Sequence, residues 1–386
     1  MFKSKSFAYV IFSLALLYIA SPWIVEKKLF FNEILSLSGF LILAANRFAV
    51  NRGAINNCII ILLVWCGLHL ITSLFLMDGV YYYLRTSVIV YSIFSYFIGY
   101  FLFEQLGRFI QTILPYLRVY LIVFLFVNVP VLFERYGMAM LFPAIFKNII
   151  TRNTLLLLAL INVIYSFTYP SATSILVAGI YLVLYLSPSF KVFSRIIGLS
   201  TILAVTLFVY FLPVLSLADG YTPENEEGVR NVIAAHPILS LDPNTTWRLI
   251  FWKQVLIDHF PRNLIGLGFG TPMITYFPVE DPEKLHTLPY VFGAHNSFVH
   301  LFGRLGLPYL LITGYLYFYI MKDYFKNKAY YIRNNSILLF WSFLAISMIA
   351  LFNPVLETPI FSSAYWMILG FVAAAIERRK INNAHV

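Results

Sequence analysis

His295 and Asn296 stand where a long polar stretch of the chain turns back into apolar sequence, and an imidazole so placed can take a proton near neutral pH. Arg248 opens an upstream segment with a planar guanidinium suited to a diphosphate. Arg304 follows His295 near the start of a span, and Arg85 lies in apolar sequence, where a charge is costly and usually functional. Glu357, in Asn353-Pro354-Val355-Leu356-Glu357-Thr358-Pro359, is the acid of the turn between the last two apolar runs. One base with several cations can carry a group transfer in which an anionic leaving group is neutralised without a metal. Each residue also has a plainer use. His295 can hydrogen-bond at a helix start, Arg248 can anchor at a membrane interface, and Glu357 can be a surface acid or orient a partner. Arg118 is read as snorkelling inward. His286 and His300 receive no role.

Other chemistries find less support. Glu280, Asp281 and Glu283 form an acidic cluster, but Pro278 and Pro282 mark an exposed loop, and no histidine follows at a zinc-binding spacing. Neither a metal nor a cofactor is expected. Gly266, Gly268 and Gly270 follow an amphipathic segment and precede Thr271-Pro272, without the strand and helix that a nucleotide loop needs; they predict a tight turn pressed against a neighbour.

The elements that position these residues are membrane helices. Hydrophobic residues make up 60% of the chain and charged ones 11%, with mean hydropathy +0.80, against a charged fraction of about 25% in soluble domains. Apolar runs long enough for the roughly 30 Å hydrocarbon core lie near residues 7–25, 29–46, 56–77, 84–103, 112–133, 153–169, 171–187, 196–217, 304–321, 336–352 and 360–376. Lys3 and Lys5 before the first run suggest a signal peptide, but without a clear cleavage site it reads as a retained span. Lys322, Lys326, Lys328 and Arg333, and then Arg378, Arg379 and Lys380, mark the cytoplasmic side, as do Arg152, Lys191 and Arg195. Residues 218–292 then fall outside the cytoplasm. This loop holds nine of the 17 acidic residues against five basic ones, so the net charge of +10 belongs to the membrane flanks and indicates no nucleic acid. Five clear spans precede Arg152, whereas a cytoplasmic N-terminus needs an even number. The apolar stretch 136–150, broken by Pro143, is the candidate for a short or re-entrant sixth. The expectation is an all-α integral membrane protein with about 12 transmembrane helices, 11 of them clear. It divides into an N-terminal bundle 1–217, a large periplasmic loop 218–292 and C-terminal helices 293–386.

Within the loop, Asp242-Pro243-Asn244-Thr245-Thr246 supplies capping residues and a first-turn proline. Leu249, Trp252, Leu256 and Phe260 then recur at helical spacing while Lys253, Gln254 and Asp258 take other faces, predicting an amphipathic interfacial helix over about 245–260. Cys58 and Cys66 are about 12 Å apart along one helix and cannot bridge.

Thr246-Trp247-Arg248, then Pro261-Arg262-Asn263-Leu264-Ile265-Gly266-Leu267-Gly268-Phe269-Gly270, then His295-Asn296-Ser297-Phe298 and Arg304-Leu305-Gly306-Leu307-Pro308, resemble the O-antigen ligase and polymerase family of membrane glycosyltransferases. The resemblance covers about residues 150–375, with Leu356-Glu357-Thr358-Pro359, Trp366 and Gly370 resembling the family's C-terminal end. Where many members have a serine-arginine pair between two central spans, this chain has Tyr169-Pro170-Ser171-Ala172, so Arg85 or Arg304 is expected to substitute.

The resemblance implies a bacterial inner-membrane transferase that moves a glycan from undecaprenyl pyrophosphate to an acceptor hydroxyl at the periplasmic face. His295 would be the general base, and Arg248, Arg304, Arg85, Asn296 and Glu357 would hold pyrophosphate or sugar. The acceptor is lipid A-core for a ligase, a lipid-linked repeat for a polymerase, or a protein hydroxyl for an oligosaccharyltransferase. The missing pair and modest length lean toward a polymerase of O-antigen or exopolysaccharide, with membrane lipids and a chain-length regulator as partners. The competing reading is a flippase or transporter of lipid-linked sugar, although such proteins tend to show paired repeats, which this chain lacks.

Overall fold

The computed structural model describes residues 31–126, 138–168, 172–216, 243–273 and 294–384, and every regular element among them is helical. The expected first span, the Asp242 cap, the acidic cluster with His286, and Tyr169-Pro170-Ser171 lie outside the described residues.

In chain order the helices are α1 (Phe31–Ala45), α2 (Ala54–Ser73), α3 (Val80–Ser92), α4 (Ser95–Phe101), α5 (Phe103–Phe126), α6 (Met138–Leu141), α7 (Thr154–Thr168), α8 (Ala172–Leu186), α9 (Phe190–Ser216), α10 (Pro243–Lys253), α11 (Ser297–Arg333), α12 (Ile337–Ala350) and α13 (Pro359–Ala384). Among the described residues, four stretches are long and apolar enough to cross a membrane: Ala54–Ser73, Tyr82–Phe101, Phe103–Leu125 and Phe190–Ser216. Asn32–Ala45, Thr154–Phe167, Thr173–Leu186 and Ile337–Ala350 are apolar but shorter. α11 and α13 gain their length from charged C-terminal turns. The expected weak span at 136–150 appears as α6 followed by a 3-10 turn, Phe142–Phe146, with Pro143 in its first turn. At about 1.5 and 2.0 Å per residue these reach about 16 Å, well short of a crossing.

The chain folds as two compact units. The first is made from residues 1–63, 88–193 and 314–386. Its centre is a crossing of α4 and α13 without side chains between the backbones. A Cβ on Gly99 would fall 2.0 Å from the Met367 carbonyl oxygen, and one on Gly370 would fall 2.1 Å from that of Tyr96. Such contact between small residues is how helices associate where burial of apolar surface gives no driving force. Near this crossing Ser363 donates to Asn32 Oδ1, and Ser95 donates to Ser363 at 3.2 Å. Toward the basic end, Glu377 accepts from Asn56 at 2.8 Å, Asn51 at 3.1 Å and Tyr100 at 2.5 Å. Arg379 pairs with Asp323 at 2.7 Å, with both side chains about nine-tenths buried. These satisfied polar groups fix helix register in a setting where an unpaired one is costly.

The second unit is made from residues 64–87 and 194–313. It holds the C-terminal half of α2, the start of α3, most of α9, α10 and the first half of α11, and with them every residue of the candidate site except Glu357.

The glycine crossing generates a prediction. Gly370→Ala should lower the stability of the purified protein by roughly 1–3 kcal/mol or more, the usual cost of overpacking. The measurement is thermal unfolding in detergent, with Gly107→Ala, where a Cβ meets nothing within 4 Å, as the neutral comparison.

Candidate active site

Helix α10 starts at Pro243, at the first-turn position that suits proline, and runs to Lys253 before loosening into a π turn over Gln254–Asp258. This extra residue per turn rotates the faces. Ile250, Phe251 and Val255 are buried, together with Lys253 and Gln254, whereas Phe260 is 64% exposed. Of the anticipated stripe, Leu249 and Trp252 pack as partly buried side chains against the clusters that hold Ile250, Phe251 and Val255, whereas Phe260, beyond the π turn, does not. Lys253 keeps its charge inside by pairing with Asp258 at 3.0 Å across the π turn. Asn263 Nδ2 donates to the carbonyls of Val255 and Leu256 at 2.8 and 3.0 Å, closing the turn's free end. Phe251 and Val255 pack with Met273 and Ala294, the residue before His295.

The glycine-rich loop binds the first half of α11 backbone to backbone. Leu267 N–H donates to the Gly303 carbonyl at 2.8 Å and Gly268 N–H to that of Arg304 at 3.0 Å. Gly266 and Gly306, both at positive φ, face each other's strands of chain. A Cβ on Gly266 would fall 2.5 Å from the Arg304 oxygen, and one on Gly306 would fall 2.3 Å from the Ile265 carbonyl carbon. Ser73 Oγ accepts from Phe269 N–H at 2.7 Å, and Thr86 Oγ1 from Gly270 N–H at 3.0 Å. The tight, backbone-close turn expected of these glycines is what forms.

His295 sits just outside α11 at φ +48°, a left-handed conformation uncommon outside glycine, which histidine adopts more readily than most side chains. The contacts around it are specific. Trp252 Nε1 donates to the Ala294 carbonyl at 2.8 Å. On the other side, Asn296 Oδ1 accepts from the N–H groups of Phe298 and Val299 at 3.0 and 3.1 Å, capping α11. Phe251 lies 6.3 Å from the imidazole, centroid to centroid. Burial first, and then the Arg248 guanidinium, push the His295 pKa below its ordinary value. A neutral imidazole near a cation is suited to accept a proton, not to donate one.

The structure brings His295, Arg248, Asn296 and Arg304 into one unit and gives them different tasks. Arg248 acts on His295 through its field. Asn296 spends its carbonyl oxygen on the helix cap. Arg304 is 2% exposed and donates through Nη1 to the carbonyls of Gly268 and Thr271, at 3.0 and 2.5 Å. Arg85 is exposed on α3 in the same unit. Glu357 lies half-buried in the turn before α13, in the other unit. Sequence reasoning missed Trp252, Ser73 and Thr86 as positioning residues. Its spacing places Trp252 in an apolar stripe. The two hydroxyls, one at the end of α2 and one near the start of α3, were a usable signal.

A protein-family model described as O-Antigen ligase matches residues 154–314 and supports the O-antigen ligase/polymerase family. The match contains Arg248, His295, Asn296 and Arg304, and leaves out Arg85, Glu357 and the C-terminal end. No curated protein and no solved structure matches.

In an NMR titration of the intact protein, the His295 ring should protonate below the ordinary histidine range. In Arg248→Gln its midpoint should move upward, because the cation that opposes protonation is gone.

Proposed function

Taking residues 154–314 as an O-antigen ligase domain, we propose that the chain is a membrane glycosyltransferase that moves a glycan from undecaprenyl pyrophosphate to an acceptor hydroxyl at the periplasmic face of the bacterial inner membrane. The observation that carries this reading is the conformation and electrostatics of His295: held at positive φ, neutral through burial, and within the field of Arg248.

The proposed step is a single displacement. His295 takes the proton of the acceptor hydroxyl, whose oxygen attacks the anomeric carbon. The bond from that carbon to the pyrophosphate oxygen breaks, and the electron pair leaves with the lipid diphosphate. Inversion at the anomeric carbon follows. General-base assistance of this kind is typically worth about 100- to 10,000-fold. Arg248 stabilises the departing charge through its forked donors. In this role a cation replaces a metal. Arg304 supports the site from beneath by holding the Gly268 and Thr271 carbonyls. Arg85 supplies positive charge on the exposed side of the same unit.

The acceptor assigned is another lipid-linked repeat, which makes the chain a polymerase of O-antigen or exopolysaccharide units, in preference to a lipid A-core ligase. A chain-length regulator is its expected protein partner, and about 12 spans its expected topology.

The test uses purified protein in lipid with a defined polyprenyl-pyrophosphate sugar, offering lipid-linked repeat and core lipid separately. Transfer to the repeat alone supports the polymerase, transfer to core lipid the ligase, and movement of donor across the bilayer without transfer would replace the proposal with a flippase. His295→Asn keeps a residue tolerant of left-handed backbone and removes the base. It should reduce transfer by at least about 100-fold while donor binding stays within a few-fold of the parent protein. Unchanged turnover would remove the imidazole from the mechanism.

A further inference from the structure

The irregular segment from Phe260 to Gly270 lies alongside two helices, not beyond their ends. A Cβ on Gly268 would lie 4.0 Å from Nδ1 of His69, four residues before the end of α2 at Ser73. Trp65 Nε1, eight residues before that end, donates to the Leu305 carbonyl at 2.7 Å. At about 1.5 Å per residue these contacts lie about 6 and 12 Å back along an apolar helix long enough to cross a membrane. Ile265 in turn touches Gly306. The loop therefore runs at the depth of the helices that flank it.

Irregular backbone at that depth is tolerated only if its polar groups are satisfied within the protein. From Asn263 to Gly270 every backbone N–H is paired. The acceptors are the carbonyls of His259, Pro261, Arg262, Gly303 and Arg304, with Arg262 accepting twice, followed by Ser73 Oγ and Thr86 Oγ1. The side chains pointing away from these bonds are apolar: Phe260, Leu264 and Ile265 are 64%, 39% and 68% exposed. The helices on either side expose apolar side chains as well, Val64, Leu68 and Ile71 of α2 and Leu307 and Leu311 of α11. Arg262, exposed in the same turn, has a stem long enough to carry its charge to headgroup level.

We infer that Phe260–Gly270 is a re-entrant element sunk into the leaflet around the C-terminal end of α2, with Phe260, Leu264 and Ile265 packed against lipid acyl chains. In this unit the turn then adds its lipid contact to that of α2 and α11. The inference rests on α2 as a membrane span and is independent of the catalytic reading.

Nitroxide labels report it. Cys58 and Cys66 are buried, so single cysteines introduced as Phe260→Cys, Leu264→Cys and Ile265→Cys label selectively in full-length protein in lipid nanodiscs. Leu68→Cys serves as the lipid reference and Asn382→Cys as the aqueous one. Collision with molecular oxygen should exceed collision with a water-soluble nickel complex at Phe260 and Ile265, as at Leu68, and reverse at Asn382. Nickel-dominated relaxation at Phe260 and Ile265 would put the turn in water. Labels shielded from both reagents would put it against protein. Either result overturns the inference, and three separate positions guard against one substitution that disturbs folding.

Discussion

Helix α11 contains Pro308, which has no N–H to return to the Arg304 carbonyl, and Gly306, which leaves helical backbone two residues earlier. In apolar surroundings the carbonyls at such a break must find other donors, since a buried polar group without a partner costs roughly 1–3 kcal/mol. The glycine-rich loop supplies them for Gly303 and Arg304, and Trp65 supplies one for Leu305. Arg304 answers by donating to the loop's own carbonyls. Because each side satisfies the other, neither the loop nor the helix break has an independent structure. Met273 at the loop's end packs with Phe251 and Ala294, and so carries the arrangement to the residue preceding His295.

Within that frame, the site's electrostatics turn on a single pair. Arg248 disfavours the charged form of His295, in addition to burial. On the proposed reaction, the lipid diphosphate neutralises Arg248 when it binds and thereby relaxes that pressure. The imidazole would then grow more basic as donor and acceptor come together, and stay neutral while the site is empty. Arg248 would thus act twice, once on the leaving group and once on the timing of proton transfer.

Much of this was legible in the residues. The positions of α2, α7, α8, α9 and α12 followed from hydropathy, because a membrane helix is announced by its length of apolar sequence. His295 could be singled out because it stands where polar chain meets apolar chain, and three glycines at alternate positions announced a close backbone approach. What could not be read was register. The π turn after Lys253 adds a residue to one turn of helix, an event without a composition signal, and it takes Phe260 out of line with Leu249 and Trp252. The break between α3 and α4 within one apolar run was equally hidden. Arg304 is ambiguous for a different reason: an arginine in apolar sequence signals a buried charge, but not whether its partners are a ligand or the chain's own carbonyls.

The order of these elements along the chain bears on how the protein is made. Gly268 and Thr271 leave the ribosome before Arg304, so the carbonyls that receive its guanidinium already exist when α11 reaches the insertion machinery. An arginine within an inserting helix is opposed, by up to about 2.5–3.5 kcal/mol when it lies at the centre, on scales derived from insertion experiments. A preceding segment that returns into the leaflet can lower that barrier during synthesis. Entry of α11 is then a joint event with the chain just upstream, and its success depends on sequence that hydropathy alone would assign to an external loop.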